Sequence, residues 1–558
     1  VRETHLSFGH SFALSAFLAL AGAWAVLRVS NRPTLLLVVA VATLIAHALI
    51  YLPFTVDDSF IAFRYATNWA HGLGPVYQAG TRVEGFTSFA WMALIALGER
   101  IGIAVDLTAK TLGLLFAALT LLPALYLAKQ WGASDRAAAV APFILALSPL
   151  YAAWTVGGMD APMFAALISS STWALAVEER KPGRPPLSAI LLGFAVWVRP
   201  DGWLFLAVAL LMKLQDIRAN PSAEAASPAR TGGRNRGQAQ APAHRERAAP
   251  PDSVVRWGLV ALLIAGTFWA WRWAYYGHPF PNTFYAKTRT DVALLGRGLS
   301  AAWEFVGYVG PVLIGLSIIS FGPLRRAGQS GRFAFAASVA YFLYVILVGG
   351  DTLNLRFFVH ILPIVAACSA VGLTWLLDAK EGAFALPRVS LPSLMGVSLI
   401  WVAAAYEQDR RAFDSIDQYG AGYVVNNARA LYLANIPLGK WLHNHAPRGA
   451  RIAAWDIGAI GYFSQLQVID LFGLTDVTIA RITHGPDPSE NEQAYLERLR
   501  PEFIATYSSG PDSTHCSWFP SGTAWLLSEY RYHSHWADQG PGTGPALWVR
   551  KDIVVDAR

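Results

Sequence analysis

Asp57 and Asp58 stand side by side directly after an apolar run, residues 34–54. Adjacent carboxylates there could take a proton from a hydroxyl, orient water or an acceptor, or hold a divalent cation. Ionised groups are costly at membrane depth and seldom sit there without a task. If the run spans a bilayer, the pair emerges at one membrane face and opens the aromatic-rich stretch 56–65. The plainer alternative is a doubled cap on a helix beginning near Phe60, although one carboxylate would suffice for that.

Other ionisable residues recur at the ends of apolar runs. Carboxylates are Glu84, Asp160, Asp201 and Asp351; cations are Arg64, Arg82, Arg199, Lys287, Arg289 and Arg356, with His278 and His360 as additions. Arg199-Pro200-Asp201-Gly202 interrupts what would otherwise be one long apolar segment. Such a break is tolerated only against protein or a water-filled cavity. Residues 275–287 form a proline-stiffened aromatic loop containing Asn282 and ending on Lys287, and 349–357 places Asp351 five residues before Arg356. Taken singly, each has an ordinary explanation. Asp160 and Asp351 could be helix N-caps, Arg82 and Arg289 could snorkel to lipid phosphate, and Glu84 could pair with Arg82 or Arg64. Their convergence on one membrane side is harder to dismiss.

The elements that must position these groups are membrane helices. Hydrophobic residues make up 54% of the chain, charged residues 15%, and the mean hydropathy is +0.36. A soluble domain averages about 25% charged residues. Apolar runs near spanning length occur at 11–27, 34–54, 107–127, 137–153, 161–177, 187–198, 203–214, 254–275, 299–320, 333–348, 358–377 and 390–406. Basic residues gather in loops 28–33, 128–136, 178–186 and 321–332, which the positive-inside rule makes cytoplasmic. The net charge of +7 is therefore an orientation signal and does not point to nucleic acid. Residues 86–103 are apolar too, but a crossing there would invert every later loop. We read them as a re-entrant or interfacial helix pair on the outer side. Residues 1–33 are either an extra helix or signal-like, since Ala23-Trp24-Ala25 resembles a cleavage site.

Three regions follow: 1–33; a membrane domain at 34–406, with a disordered cytoplasmic linker at 215–253; and an extracytoplasmic α/β domain at 407–558. In the last, 452–461 reads as strand, turn and helix start, with further strands at 468–471, 503–507 and 546–549. Trp455 and Trp518 could meet a glycan there, although buried core is the plainer role for a Trp. Cys368 and Cys516 fall in different regions and suggest neither a disulfide nor a metal cluster.

These motifs resemble those of the membrane-embedded GT-C glycosyltransferases, most of all the mycobacterial-type terminal β-(1→2) arabinofuranosyltransferases and their bacterial relatives. The resemblance runs from Asp57-Asp58 through Arg64, Asn68, Gly74-Pro75-Val76, Arg82-Val83-Glu84 and Thr87-Ser88. It resumes at Gly158-Met159-Asp160, Arg199-Pro200-Asp201, Tyr275-Tyr276-Gly277, Pro281 to Lys287, Gly349-Gly350-Asp351 with Arg356, and residues 468–476. It implies an α-helical polytopic membrane protein of GT-C type, with about 11–12 transmembrane helices and a C-terminal extracytoplasmic α/β domain, in a bacterial inner membrane. It implies transfer of a sugar, arabinofuranose among the candidates, from a polyprenyl phosphate to a cell-envelope glycan, lipid or protein. Asp57 or Asp58 would be the base. Arg64, Glu84, Arg199, Asp201, Lys287, Asp351 and Arg356 would bind the donor phosphate or order the site, with Asp160, His278 and Asn282 on the acceptor side. A divalent ion (Mg, Mn or Ca) on Asp57 and Asp58 is compatible but not demanded, and no other cofactor is indicated. Asp160 and Asp201 stand where relatives often carry Glu, which leaves the sugar open.

Two other classes compete. A transporter or flippase for the same lipid would show internal repeats and polar residues near the midplane; no repeat is seen and the charges crowd one edge. A non-catalytic envelope-assembly protein would not require Asp57, Asp58, Arg199 and Arg356 to converge.

Overall fold

The computed structural model describes residues 21–22, 24–26, 28–181, 184–219, 251–287, 292–351, 353, 355–378, 404, 406–413, 420–484, 491–507, 523–536 and 544–555. Most of the first expected span, most of the linker at 215–253, the span at 390–406, Arg289, Cys516 and Trp518 lie outside the described residues.

The chain is a helical bundle followed by a small sheet. Among the described residues, four helices are long and apolar enough to cross a membrane: Pro33–Tyr51, Val105–Gln130, Asp252–Tyr276 and Gly328–Leu347. The first shows how the sequence partitions its faces. Leu36, Ala40, Leu44, Ala48 and Tyr51, at helical spacing, are buried. Leu35, Val38, Ile45 and Leu49 stay exposed, as lipid contact would require.

Two expected spans are not straight helices. The segment read at 137–153 is the pair Asp135–Ala146 and Pro149–Val156, bent by 52° at the Ser148-Pro149 step. The segment read at 299–320 is Ala293–Val309 and Pro311–Arg326, bent by 95°. Gly310 takes φ 97 there and Pro311 starts the new helix, so the helical hydrogen bonds cannot run through. The region 86–103 holds one helix, Phe89–Arg100, rather than a pair within itself; its partner is the helix Asp57–Ala70.

The sheet is formed by β1 (Arg451–Ala454), β2 (Gln467–Asp470), β3 (Phe503–Tyr507), β4 (Tyr530–His535) and β5 (Pro545–Arg550), in the order β2-β1-β3-β5-β4. The first three are parallel and β5 runs antiparallel to β3 and β4. Strand β4 is absent from the sequence reading because Tyr530–His535 has no clean apolar alternation. Successive side chains divide between two cores, as a period of two dictates. Ile452, Ala454, Phe503, Ala505, Leu547 and Val549 join the core continuous with the membrane helices, whereas Ala453, Ile504 and Trp548 join a smaller cluster on the other face. The loops after the parallel strands β1 and β2 therefore open beside the helix that carries the acid pair.

Candidate active site

The two adjacent acids have different fates. Neither caps its own helix, which starts after Val56 without a side-chain cap. Asp57 is buried and accepts hydrogen bonds from the backbone N–H groups of Gly458 (3.0 Å) and Ala459 (3.1 Å) and from Asn435 Nδ2 (3.1 Å). Its own N–H donates to Asn427 Oδ1 at 3.0 Å. The helix Gly458–Ser464 comes so close that a Cβ on Gly458 would overlap the Asp57 carboxylate, so only glycine fits. Asp57 is thus a clamp between the helix Asp57–Ala70 and the segment after β1. Burial, then the charge of Asp456, push its pKa up to about 7 against these donors. Asp58 is only half-buried.

Lys287 ends the short helix Asn282–Lys287. Its side chain is exposed, yet its pKa is lowered, first by desolvation, with Asp58 the strongest opposing charge. An accessible cation that is also desolvated lies in a recess, not on an open surface. Arg356, Asp351 and Arg199 act on the same ammonium group. Tyr423, half-buried, has its pKa raised by desolvation and then by Asp58 and Asp351, offset by Arg356, with Asp456 adding to the rise. The charge of Asp58 is thus felt by both Lys287 and Tyr423; Lys287 Nζ lies 6.0 Å from the Phe472 ring, and Asp456 lies beside Asn435 at 3.4 Å.

Behind the recess lie locked ion pairs. Arg356 grips Asp351 with two bonds, 2.8 and 3.0 Å. Arg199 pairs with Asp201 at 2.9 Å and Asp160 at 3.3 Å and stacks on Phe357 at 4.5 Å. Asp201 also accepts from Tyr341 at 3.2 Å and Tyr344 at 3.1 Å, and Tyr341 Oη meets His360 Nδ1 at 2.7 Å. This explains the break at 199–202: the helices Leu187–Val198 and Gly202–Ala219 part so that Arg199 and Asp201 face each other inside protein. Asp160 occupies an N-cap position but makes no cap bond; its carboxylate goes to Arg199 instead.

Other expected site residues are engaged elsewhere. Arg64 donates to the carbonyls of Gly461 (2.8 Å) and Leu466 (2.7 Å) and lies over Tyr77. Glu84 pairs with neither Arg64 nor Arg82 but with buried Arg272, through Nε at 3.1 Å and through Nη2; Arg82 rests on Tyr275. Burial raises the Glu84 pKa and Arg272 holds it back. Asn282 is buried and binds the carbonyls of Gly473 (2.7 Å) and Leu474 (3.1 Å). His278 is half-buried, 6.3 Å from the Tyr285 ring. So ion pairs join Asp160, Arg199 and Asp201, and Asp351 with Arg356, and the charges of Asp58, Arg356, Asp351 and Arg199 act on Lys287, while Arg64, Glu84 and Asn282 are bonded to other partners.

Four residues of this architecture were not singled out by sequence: Arg272, Tyr423, Asn435 and Asp456. Arg272 carried a signal, a cation inside an apolar run. Asp456 lay in a recognised strand–turn–helix. Tyr423 and Asn435 carried none. Both oxygens of Asp57 already accept N–H donors, whereas Asp58 keeps accessible surface. Among the described residues no group of three or more His, Cys, Asp or Glu could hold a metal.

Known proteins share this architecture. Crystal structures of ArnT from Cupriavidus metallidurans, one bound to undecaprenyl phosphate and one apo, each match with TM-score 0.56 at 10% identity, covering 93% of this chain and 98% of theirs. The apo oligosaccharyltransferase of Archaeoglobus fulgidus matches with TM-score 0.50 at 14% identity, over 84% of this chain and 69% of its own. The chain has the GT-C fold: a polytopic helical membrane protein with a C-terminal region containing a small sheet. Residues 425–551 match a family described as a domain of unknown function, DUF8728. No curated protein matches the chain significantly.

Proposed function

We propose that this chain is a membrane glycosyltransferase that moves a sugar from a polyprenyl-phosphate donor to a hydroxyl of a cell-envelope glycan, lipid or protein. The observation that carries the reading is an acid and a base that both keep accessible surface, Asp58 and Lys287, coupled in charge and with Lys287 Nζ 6.0 Å from the Phe472 ring, within a GT-C fold. The similar ArnT structure with undecaprenyl phosphate supports the class of donor.

The step balances with the groups present. The acceptor oxygen forms a bond to the anomeric carbon as its proton passes to the Asp58 carboxylate. The bond from that carbon to the phosphate oxygen breaks, and its electron pair leaves with polyprenyl phosphate. Lys287 would neutralise charge growing on that oxygen, with Arg356, held by Asp351, behind it. Asp57, bound to N–H donors, holds the helix that aims Asp58. Arg199, Asp160 and Asp201 fix the wall behind Arg356. The sugar we assign is a pentofuranose of arabinose type, from the motif resemblance. We place the recess and residues 407–558 outside a bacterial inner membrane and the basic loops inside, from the charge pattern.

Mass spectrometry of lipid co-purifying with the detergent-solubilised chain tests the donor. A polyprenyl-phosphate pentose is the expected species. A preparation that retains no polyprenyl phosphate and turns over only a nucleotide sugar would refute the assignment.

A further inference from the structure

The acceptor-side candidates suggested by sequence are occupied: Asp160 by Arg199, Asn282 by two carbonyls. Another wall comes from the sheet. Trp455 and Asp456 follow β1 directly, and Phe472 follows β2, its parallel neighbour. Loops at the carboxyl ends of adjacent parallel strands form a natural crevice. All three residues are half-buried; Trp455 packs against the smaller core cluster and keeps part of its surface accessible. The Trp455 ring stands edge-on to Phe472, centroids 5.1 Å apart, and Lys287 Nζ lies 6.0 Å from the Phe472 ring. Asn435 ties Asp456 to Asp57, with bonds of 3.4 and 3.1 Å from one amide. Aromatic rings thus adjoin Lys287, and a carboxylate adjoins the Asp57 clamp beside Asp58.

The chemistry of this wall differs from that of the cationic wall. A carboxylate repels a phosphate but accepts hydrogen bonds from sugar hydroxyls. Aromatic faces, electron-rich at their centres, attract the C–H edges of a sugar ring. We propose that Trp455, Asp456 and Phe472 form the subsite for a neutral acceptor sugar, stacked on the rings and hydrogen-bonded by Asp456. Its place beside the reacting centre rests on the transferase reading above; its ability to bind glycan does not.

The test is saturation-transfer NMR on the full chain in nanodiscs, without donor. The probe is the oligosaccharide mixture released by mild acid from the envelope of the producing cells. Sugar protons are expected to draw saturation from the wild type, with affinity about tenfold weaker in Trp455→Ala and close to wild type in Trp455→Phe. Phe472→Leu, a smaller change, serves if Trp455→Ala fails to fold, and should weaken binding in the same direction. Absence of any saturated sugar signal in the wild type, or unchanged affinity in folded Trp455→Ala, overturns the subsite. Because no donor is present, loss of glycan binding in Trp455→Ala would stand even if donor turnover were never found; that outcome would sink the transferase reading alone.

Discussion

The ion pairs behind the recess and the groups lining it are built from the same residue types, yet their environments are opposite. Arg199, Arg272 and Arg356 are 5–6% exposed, and each faces carboxylates that are 2–6% exposed. Asp58 and Lys287 keep accessible surface. A buried pair has already spent its charge on its partner, and removing one member leaves the other uncompensated. A half-exposed group in a desolvated recess still has its charge to offer. Desolvation together with retained access marks the part of the molecule that can meet a substrate.

The largest test of that contrast separates the two neighbouring acids. Asp58→Asn is expected to cut sugar transfer by about 10²–10⁴-fold while the thermal midpoint stays at the wild-type value. Asp57→Asn should instead lower the midpoint, because an amide NH₂ would face the N–H groups of Gly458 and Ala459. Equal midpoints in the two variants would show that clamp and base are not divided as the geometry divides them.

The closed pairs should respond to repair, which an open site would not. Arg272→Met leaves Glu84 buried and alone, at a cost of about 3–5 kcal/mol. Adding Glu84→Leu should return most of that loss, because a desolvated pair is often replaceable by apolar groups of similar volume. Denaturation of the single and double variants in detergent measures both. A double variant as unstable as the single would mean that the pair does more than neutralise itself.

The same contrast explains what could be read from the sequence. Apolar runs, basic loops and the Arg199-Pro200-Asp201 break are local patterns, and the helices, the parted turn and four of the five strands follow from them. The motifs offered a set of acids and bases, but the sequence could not say which were already paired. That depends on residues far apart along the chain: Glu84 on Arg272, Asp57 on Gly458, Asp58 with Lys287. The bend at Gly310-Pro311 had a local sign that a hydropathy window averages away. Tyr423 and Asn435 had no sign at all, since an ordinary Tyr or Asn acquires its role only from what folding sets beside it.

The smallest expected effect concerns the border between clamp and recess. Asp57 has a pKa raised from 3.8 to about 7, first by burial and next by the charge of Asp456. Between those values the folded chain holds a proton that the unfolded chain has released. The contribution of Asp57 to stability therefore falls as pH rises through that window and is lowest above about 7. Asp456→Asn removes the largest neighbouring charge. The loss of the weak Asn435 contact to Asp456 costs the same at every pH, but relief of the repulsion is felt only where both acids would ionise. The thermal midpoint of the variant, relative to wild type, should therefore rise from about pH 5 to about pH 8. A difference that stays flat across this range would mean that the two acids do not share a field, and that the clamp and the sheet-side wall do not adjoin.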